Sequence, residues 1–216
     1  MGCERCPRLR AYCRQIAQQR RRAFHDQVYW GKPVPGFGDP QARILIAGLA
    51  PAAHGANRTG RMFTGDRSGD FLYAALHRFG FANQATSRSR DDGLQLTDIY
   101  ITAALRCAPP ANKPTPEEIN NCRPYLIEEL RLLKRVQVIV ALGKLAFDNV
   151  LIALKSCDVD VPRPKPMFGH GQINRIGRYT LIASYHPSQR NTSTGLLTRA
   201  MFDRIFEQAQ AIVERP

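Results

Sequence analysis

Short apolar runs alternate with amphipathic segments along most of this chain. The apolar runs occupy residues 42–48, 99–105, 136–142 and 179–184, and each is short enough to be a buried strand. The longer segments between them have helical periodicity. Strands that are apolar on both sides and separated by helices are typical of a parallel sheet covered on both faces. The sequence therefore predicts a three-layer α/β/α sandwich.

The helix between the second and third apolar runs has the clearest beginning. The sequence Thr115-Pro116-Glu117-Glu118 supplies a hydroxyl cap, a proline in the first position and acids in the first turn. This helix is predicted to end near Lys134. The other helices are predicted over 7–24, 70–79, 144–155 and 197–213, and a polar, glycine-rich loop is expected up to residue 69.

The composition adds a strong positive charge to this picture. With 216 residues, 44% of them hydrophobic, the chain fits a single domain, 1–216, with an ordinary core. Its 31 Lys and Arg against 18 Asp and Glu leave a formal charge of +13. We expect a polyanionic partner, nucleic acid first and an anionic membrane surface second, because no basic helix with a clean apolar face accompanies the charge. No apolar run is long enough to span a bilayer and no secretory signal is evident, so we expect no membrane partner and a cytoplasmic protein.

Cysteine spacing points to a metal site. In a reducing compartment, the six cysteines are better interpreted as metal ligands or buried thiols than as disulfides. Cys3 and Cys6 form a Cys-x-x-Cys pair, while Cys107 and Cys122 flank a proline-rich turn and a helix start. These four can enclose a zinc ion or a four-iron cluster, and the spacing does not separate the two. A chance Cys-x-x-Cys beside buried thiols is the alternative.

The loop after the first strand, residues 48–66, carries the most candidate chemistry, at the edge of the sheet where parallel sheets place their sites. Its glycines let the backbone approach a ligand, and Arg58 and Arg61 can hold phosphates. Phe63 can stack on a planar base and Asp66 can position a water molecule. An ordinary surface loop with a tendency to bind phosphate is the alternative interpretation.

The loop after the last strand supplies a histidine. His186 directly follows a core strand, so it is well held and can donate a hydrogen bond to a developing oxyanion. Gln189, Arg190 and Asn191 can enter a DNA groove and fill the gap left by an extruded nucleotide. Taken alone, a His-Pro pair at a strand end is more often a turn. Its combination with the glycine-rich loop and the basic charge favours the functional interpretation.

Four separated segments together resemble the family 5 uracil-DNA glycosylases. They are residues 48–66, 106–116, Cys122-Arg123-Pro124, and His186-Pro187-Ser188 with Asn191. The resemblance implies the uracil-DNA glycosylase fold with a four-stranded parallel sheet. It implies hydrolysis of the N-glycosidic bond of uracil in double-stranded DNA by base flipping, by a monomer in the cytoplasm, at the nucleoid of a prokaryote. It also implies a structural [4Fe-4S] cluster held by Cys3, Cys6, Cys107 and Cys122.

The same resemblance implies roles for individual residues. Phe63 would stack on the flipped base and His186 would hydrogen-bond to uracil O2. Asp66 would hold the attacking water, because Ala50 stands where better known families carry an Asp or Asn. The expected base-binding residues are Gly48, Ala50, His54, Phe63 and Ala103. The expected DNA-binding residues are Asn57, Arg58, Arg61, Ser188, Gln189, Arg190 and Asn191.

Ala103 and Ala104 stand where several related families place an asparagine that reads the uracil edge. A missing amide removes a hydrogen-bond requirement that rejects other bases, so activity is expected to extend to hypoxanthine and further to xanthine or ethenocytosine. Two other interpretations stay open at this point. One is a metal-bound nucleic-acid-binding module, supported only by the charge and the cysteines, and the other is a relative that binds uracil in DNA without turnover.

Overall fold

A single mixed sheet organises the computed structural model, which describes residues 2–214. Its six strands follow the order β1-β3-β2-β4-β6-β5. Their bounds are β1 Phe37–Gly38, β2 Ile44–Gly48, β3 Ile99–Ala103, β4 Val138–Leu142, β5 Ile173–Ile176 and β6 Tyr179–Ser184. The predicted α/β class is confirmed, whereas the predicted number of four strands is wrong.

The two additional strands are short and lie at the edges. β1 and β5 pair antiparallel with β3 and β6, while the central pairs β3-β2, β2-β4 and β4-β6 are parallel. β1 has only two residues, and β5 places Asn174 and Arg175 between its isoleucines. Neither segment has the apolar run by which the central strands were predicted.

Seven helices surround this sheet within the described residues. They are α1 Pro7–Gln19, α2 Ala56–Thr59, α3 Arg67–Arg78, α4 Pro116–Leu132, α5 Lys144–Lys155, α6 Gln189–Ser193 and α7 Arg199–Val213. The predicted cap of α4 is confirmed, since Thr115 Oγ1 accepts a hydrogen bond from the Glu118 backbone N–H at 3.2 Å. In addition, Glu118 Oε2 accepts from the Thr115 N–H at 2.8 Å, which completes a capping box.

Two predicted helix boundaries are wrong for identifiable reasons. α1 ends at Gln19 because Arg20 adopts a φ of +47°, which no helix continues, and a short 3₁₀ turn follows at Arg22–Phe24. α3 begins at Arg67 rather than Asp70 because the side chain of Asp66 caps it.

Strand residues alternate between two cores, one on each face of the sheet. Ile46, Ile101 and Val140 pack with α3 and α7 on one face. Leu45, Ile139 and Leu181 pack with α4 and α5 on the other. Each fully buried side chain of this kind contributes about 1.5–3 kcal/mol to stability. Residues 2–214 contain no helix that combines the length and the apolar character needed to cross a membrane.

Candidate active site

A cavity of about 290 Å³ opens at the carboxyl edge of the sheet. The loops that follow β2 and β6 form most of its wall, because the parallel pairing of the central strands brings their carboxyl ends to one edge. The cavity is lined by Leu49, Ala50, Pro51, Ala52, Met62, Phe63, Asp66, Ser68, Asn112, His186 and Ser188. Two segments that are distant in the chain thus meet at one cavity.

Phe63 and His186 present their rings to this cavity, with ring centroids 6.0 Å apart and ring planes inclined by 29°. Phe63 has a φ of +52°, which is uncommon for a bulky residue. Two glycines, Gly48 and Gly69, leave the space that the ring and the carbonyl group of Phe63 occupy. A Cβ on Gly69 would lie 1.7 Å from the Phe63 carbonyl oxygen, and a Cβ on Gly48 would lie 2.9 Å from Phe63 Cζ. The ring therefore rests on the bare backbone at the end of β2.

His186 is held from its backbone. Asn191 Nδ2 donates to the His186 carbonyl oxygen at 2.8 Å, and the Asn191 N–H donates to Ser188 Oγ at 3.3 Å at the start of α6. Burial lowers the pKa of His186 to about 4. Its imidazole is therefore neutral near physiological pH and offers one N–H donor without a positive charge.

Asp66 divides its two carboxylate oxygens between two tasks. Oδ1 accepts from the Gly69 N–H at 3.0 Å and caps α3. Oδ2 points toward Gly55, where an added Cβ would lie only 2.0 Å away. Burial raises the pKa of Asp66, and hydrogen bonds from the Gly69 and Ser68 backbone oppose that rise. Asp66 thus supplies a partly buried carboxylate at the rim of the cavity.

A wider groove of about 1050 Å³ adjoins the cavity. Ala52, Asp66, Ser68 and Asn112 line both spaces, so the cavity opens from the groove. Four arginines line the groove: Arg21, Arg58, Arg67 and Arg88. Two acids, Asp66 and Asp70, also line the groove, so the lining keeps an excess of positive charge of the kind that attracts a polyanion.

Three of the expected DNA-binding residues, Asn57, Arg58 and Arg61, form hydrogen bonds within the protein. Arg61 is 3% exposed, and its guanidinium donates to Ser87 at 2.9 Å and to both oxygens of Asp92 at 2.8 Å. Arg58 is 7% exposed and donates to the carbonyl oxygens of His54 and Gly65.

Asn57 is fully buried, with Nδ2 donating to the carbonyl oxygens of Cys13 and Ala53. The structure therefore places donors of Asn57, Arg58 and Arg61 in hydrogen bonds within the protein, and their expected binding to phosphate stays a prediction. Arg58 still borders the groove with part of its surface.

The expected base-binding residues separate into two groups. Ala50 and Phe63 line the cavity, and Gly48 lies behind the Phe63 ring. Ala103 pairs with Gly48 across β2 and β3 and is buried away from the cavity lining. His54 lies in the wider groove, with Nδ1 at 3.1 Å from the Tyr29 hydroxyl. Direct base contact by Ala103 and His54 therefore does not fit this geometry.

Sequence reasoning missed Asn112. This residue lines both the cavity and the groove and has a φ of +57°, a conformation that asparagine tolerates better than most residues. Its position in the proline-rich loop after β3, at the carboxyl edge of the sheet, was the available signal. The remaining expected residues lie at the rim, Ser188 at the cavity and Gln189 in the groove, with Arg190 exposed and Asn191 bonded to His186.

The four predicted cysteine ligands come from three segments of the chain. Cys6, Cys107 and Cys122 belong to one packed cluster with Cys13 of α1, and Cys3 lies close to Cys6. The Arg106 N–H donates to Cys122 Sγ at 3.2 Å, and the buried Arg10 places Nη1 at 4.0 Å from Cys107 Sγ.

Burial raises the pKa of Cys122 to about 11. Within residues 2–214, no three His, Cys, Asp or Glu side chains are arranged to hold a single metal ion.

Comparison with known proteins identifies the family. A sequence model of the uracil DNA glycosylase superfamily matches residues 35–210. The type-5 uracil-DNA glycosylase of Mycobacterium leprae is 53% identical over 212 residues, covering 97% of this chain and 91% of that protein. The type-5 enzyme of Thermus thermophilus is 49% identical, covering 98% and 94%, and that of Pyrobaculum aerophilum is 44% identical, covering 98% and 89%. The chain therefore belongs to the uracil-DNA glycosylase superfamily and, within it, to the type-5 family.

Proposed function

We propose that this protein removes uracil from double-stranded DNA by hydrolysing the N-glycosidic bond, which leaves an abasic site for repair. One observation carries the proposal: Phe63, Asp66 and His186 line a single cavity that opens from a cationic groove. The type-5 relatives of this chain are uracil-DNA glycosylases, which supports the same reaction.

The substrate base has to leave the DNA stack to reach this cavity, so the proposal includes base flipping. Phe63 offers the flipped base an aromatic face. A base between two parallel rings needs about 7 Å, because each stacking contact is about 3.5 Å. The rings of Phe63 and His186 are 6.0 Å apart. The base therefore stacks on Phe63 and meets His186 through its edge.

His186 and Asp66 divide the chemistry. As the bond from the sugar to the base breaks, negative charge develops on the base and positive charge on the sugar. The neutral imidazole of His186 donates its N–H to uracil O2 and stabilises the departing anion. Asp66 Oδ2 holds the water that attacks the sugar, and its negative charge stabilises the cationic transition state.

Asn112 bears on specificity. Hypoxanthine is our second proposed substrate, because the short side chain of Ala103 at the end of β3 does not line the cavity and supplies no amide that would require the uracil edge. Asn112, whose side chain borders the cavity, is the residue that would limit this breadth. Its amide has both a donor and an acceptor and can therefore read a base edge.

The cofactor that we propose is a [4Fe-4S] cluster bound by Cys3, Cys6, Cys107 and Cys122. The clustering of these cysteines, with the Arg106 backbone N–H donating to Cys122 Sγ, supports thiolate ligands. The Cys3-x-x-Cys6 pair, with one cysteine in the loop after β3 and one on α4, is a ligand set that suits a four-iron cluster, and a zinc ion is the alternative. The bound cluster would supply structural order, tying α1, α4 and the loop after β3 together.

Contacts with the DNA are assigned to the rim. Gln189 and Arg190 are exposed at the start of α6, beside His186, where they can fill the space that the flipped nucleotide leaves. Ser188 and Asn191 hold that turn in place. The protein would act as a monomer at the nucleoid, in the cytoplasm of a prokaryote.

Base release from a set of matched duplexes tests the proposal. The duplexes carry uracil, hypoxanthine or a thymine mismatch, and released base is measured under single-turnover and multiple-turnover conditions. We expect rapid release of uracil, slower release of hypoxanthine, and little release by His186→Ala. Binding without release would favour the nucleic-acid-binding module, and a single turnover without recycling would favour a relative that holds uracil in DNA.

A further inference from the structure

A second pocket lies beside the groove and takes no part in the proposed chemistry. It has a volume of about 520 Å³, and we call it the Trp30 pocket. Its walls include Gln27, Trp30, Lys32, Arg58, Arg88 and Arg90. Three of these residues, Gln27, Arg58 and Arg88, also line the groove, so the two spaces are continuous.

Cations gather around the indole in this pocket. The Arg90 guanidinium carbon lies 4.7 Å from the centroid of the Trp30 ring, and Lys32 Nζ lies 5.6 Å from it. Both distances are within the range of cation–π attraction. The Arg88 side chain is exposed and forms no ion pair with any residue of the described range 2–214. Lys32 and Arg90 therefore lie against the indole, and Arg88 adds a further positive charge to the same pocket.

One carboxylate opposes them. Asp91 Oδ1 lies 3.8 Å from Arg90 Nε, and both side chains are exposed. Pairs of this kind contribute little in water. The pocket keeps an excess of positive charge, since Lys32, Arg88 and Arg90 face this single acid.

The loop that carries Arg88 and Arg90 is fixed from inside the protein. Asp92 accepts hydrogen bonds from the backbone N–H of Arg88 at 2.7 Å and of Leu94 at 3.1 Å. The same carboxylate accepts from the buried Arg61 guanidinium at 2.8 Å. The cost of ordering the loop is thus met before any ligand binds, which favours tight binding.

We propose that the Trp30 pocket binds a backbone phosphate of the DNA, outside the flipped nucleotide. This inference rests on the proposed function only in taking DNA as the partner. A phosphate has the charge that the pocket lacks, and an arginine can bind it through two parallel hydrogen bonds. Because the pocket continues the groove, the duplex that delivers a base to the cavity passes beside it.

The test compares two double variants that each remove two positive charges. Lys32→Gln with Arg90→Gln removes the two cations that lie against the indole and that line this pocket but not the groove. Lys134→Gln with Arg135→Gln removes the same charge before β4, at the opposite edge of the sheet from the cavity. Binding of a labelled undamaged duplex is measured over a range of salt concentrations for both variants and for the unaltered protein.

We expect the first variant to bind about tenfold more weakly and to reduce the slope of log K against log salt by about 1, the effect of losing one phosphate contact. The Lys134 and Arg135 variant should keep the original slope. The rate of base release at saturating enzyme should be unchanged in both. Equal slopes in the two variants would overturn the assignment of the pocket. If the unaltered protein released no uracil, the proposed function would fail, but the slopes would still decide this inference because the duplex is undamaged.

Discussion

Gly55 leaves the space that the second carboxylate oxygen of Asp66 occupies: a Cβ added at Gly55 would lie 2.0 Å from Asp66 Oδ2. The other oxygen is bound to the Gly69 N–H at 3.0 Å. A missing side chain on one segment and a helix cap on another together fix one carboxylate at the rim of the cavity. The proposed chemistry depends on this placement.

Gly55→Ala should therefore reduce catalysis without impairing DNA binding. Two heavy atoms cannot approach to 2.0 Å, so the Asp66 carboxylate or the loop must move. A displacement of about 1 Å at a reacting group can lower the rate about 100-fold. Single-turnover release of uracil measures the rate, and the Kd for an undamaged duplex is the control. A variant with the normal rate would show that Asp66 Oδ2 is not needed where it stands.

Substitutions of Asp66 separate its two tasks. Asp66→Ser and Asp66→Asn keep an oxygen that can cap α3, so both should retain nearly normal stability while turnover falls about 100-fold or more. Asp66→Ala should lose the cap as well, at a cost of about 1 kcal/mol. Thermal unfolding and single-turnover rates are measured for all three. Full activity in the serine and asparagine variants would reduce Asp66 to a helix cap.

Sequence patterns were sufficient to predict the central strands of this fold, because strands that are buried on both faces consist of apolar residues only. Fully apolar runs such as 138–142, and the cap at Thr115, report local physics that tertiary contacts reinforce. The two edge strands could not be predicted in this way, because neither has a continuous apolar run. β1 has two residues, one of them Gly38, and it exists only because β3 offers unpaired backbone groups.

The site was predictable to the extent that its residues follow central strands. His186 and Phe63 belong to loops at the carboxyl edge of the sheet, where the fold must bring them together. The sequence does not reveal whether an arginine side chain is bonded inside the protein or is available to a ligand. Arg61 forms an ion pair with Asp92 inside the protein, and Asp92 belongs to a loop whose position cannot be predicted from sequence periodicity.

Arg61→Ala should act on stability rather than on DNA. Removing Arg61 leaves the Asp92 carboxylate without its buried partner, and breaking such a pair costs about 3 kcal/mol. Urea unfolding should show this loss. Arg190→Gln, at an exposed position on the rim, is the matched control and should leave stability unchanged while weakening DNA binding. The reverse pattern would return Arg61 to the phosphate-binding residues.

Cysteine substitutions test the cluster. Cys107→Ser removes a proposed ligand and should lower iron content, visible absorbance and thermal stability together. Cys157→Ser alters a partly buried cysteine just after α5, whose Sγ lies 3.9 Å from the Ile127 carbonyl oxygen of α4 and outside the cluster of the proposed ligands, and should leave iron unchanged. Purification is carried out anaerobically, with iron, sulfide and zinc measured. Zinc at one equivalent without iron would contradict the proposed cofactor.

The pH dependence of stability tests the state of His186. Burial lowers its pKa to about 4, whereas a histidine in the unfolded chain has a pKa of about 6.5. Between these values the unfolded chain binds a proton that the folded protein does not. Stability should therefore fall as the pH is lowered through that window and level off below it.

His54 and His170 also have pKa values lowered by burial, so they add to the same slope. A variant is needed to isolate His186. His186→Gln removes the titrating group and keeps an N–H donor, so the stability of the unaltered protein should fall more steeply than that of the variant from about pH 6.5 to pH 4. Urea midpoints across this range measure the difference. Parallel curves would mean that His186 titrates normally in the folded protein, and the neutral donor proposed to stabilise the departing base would then carry a positive charge over part of the working pH range.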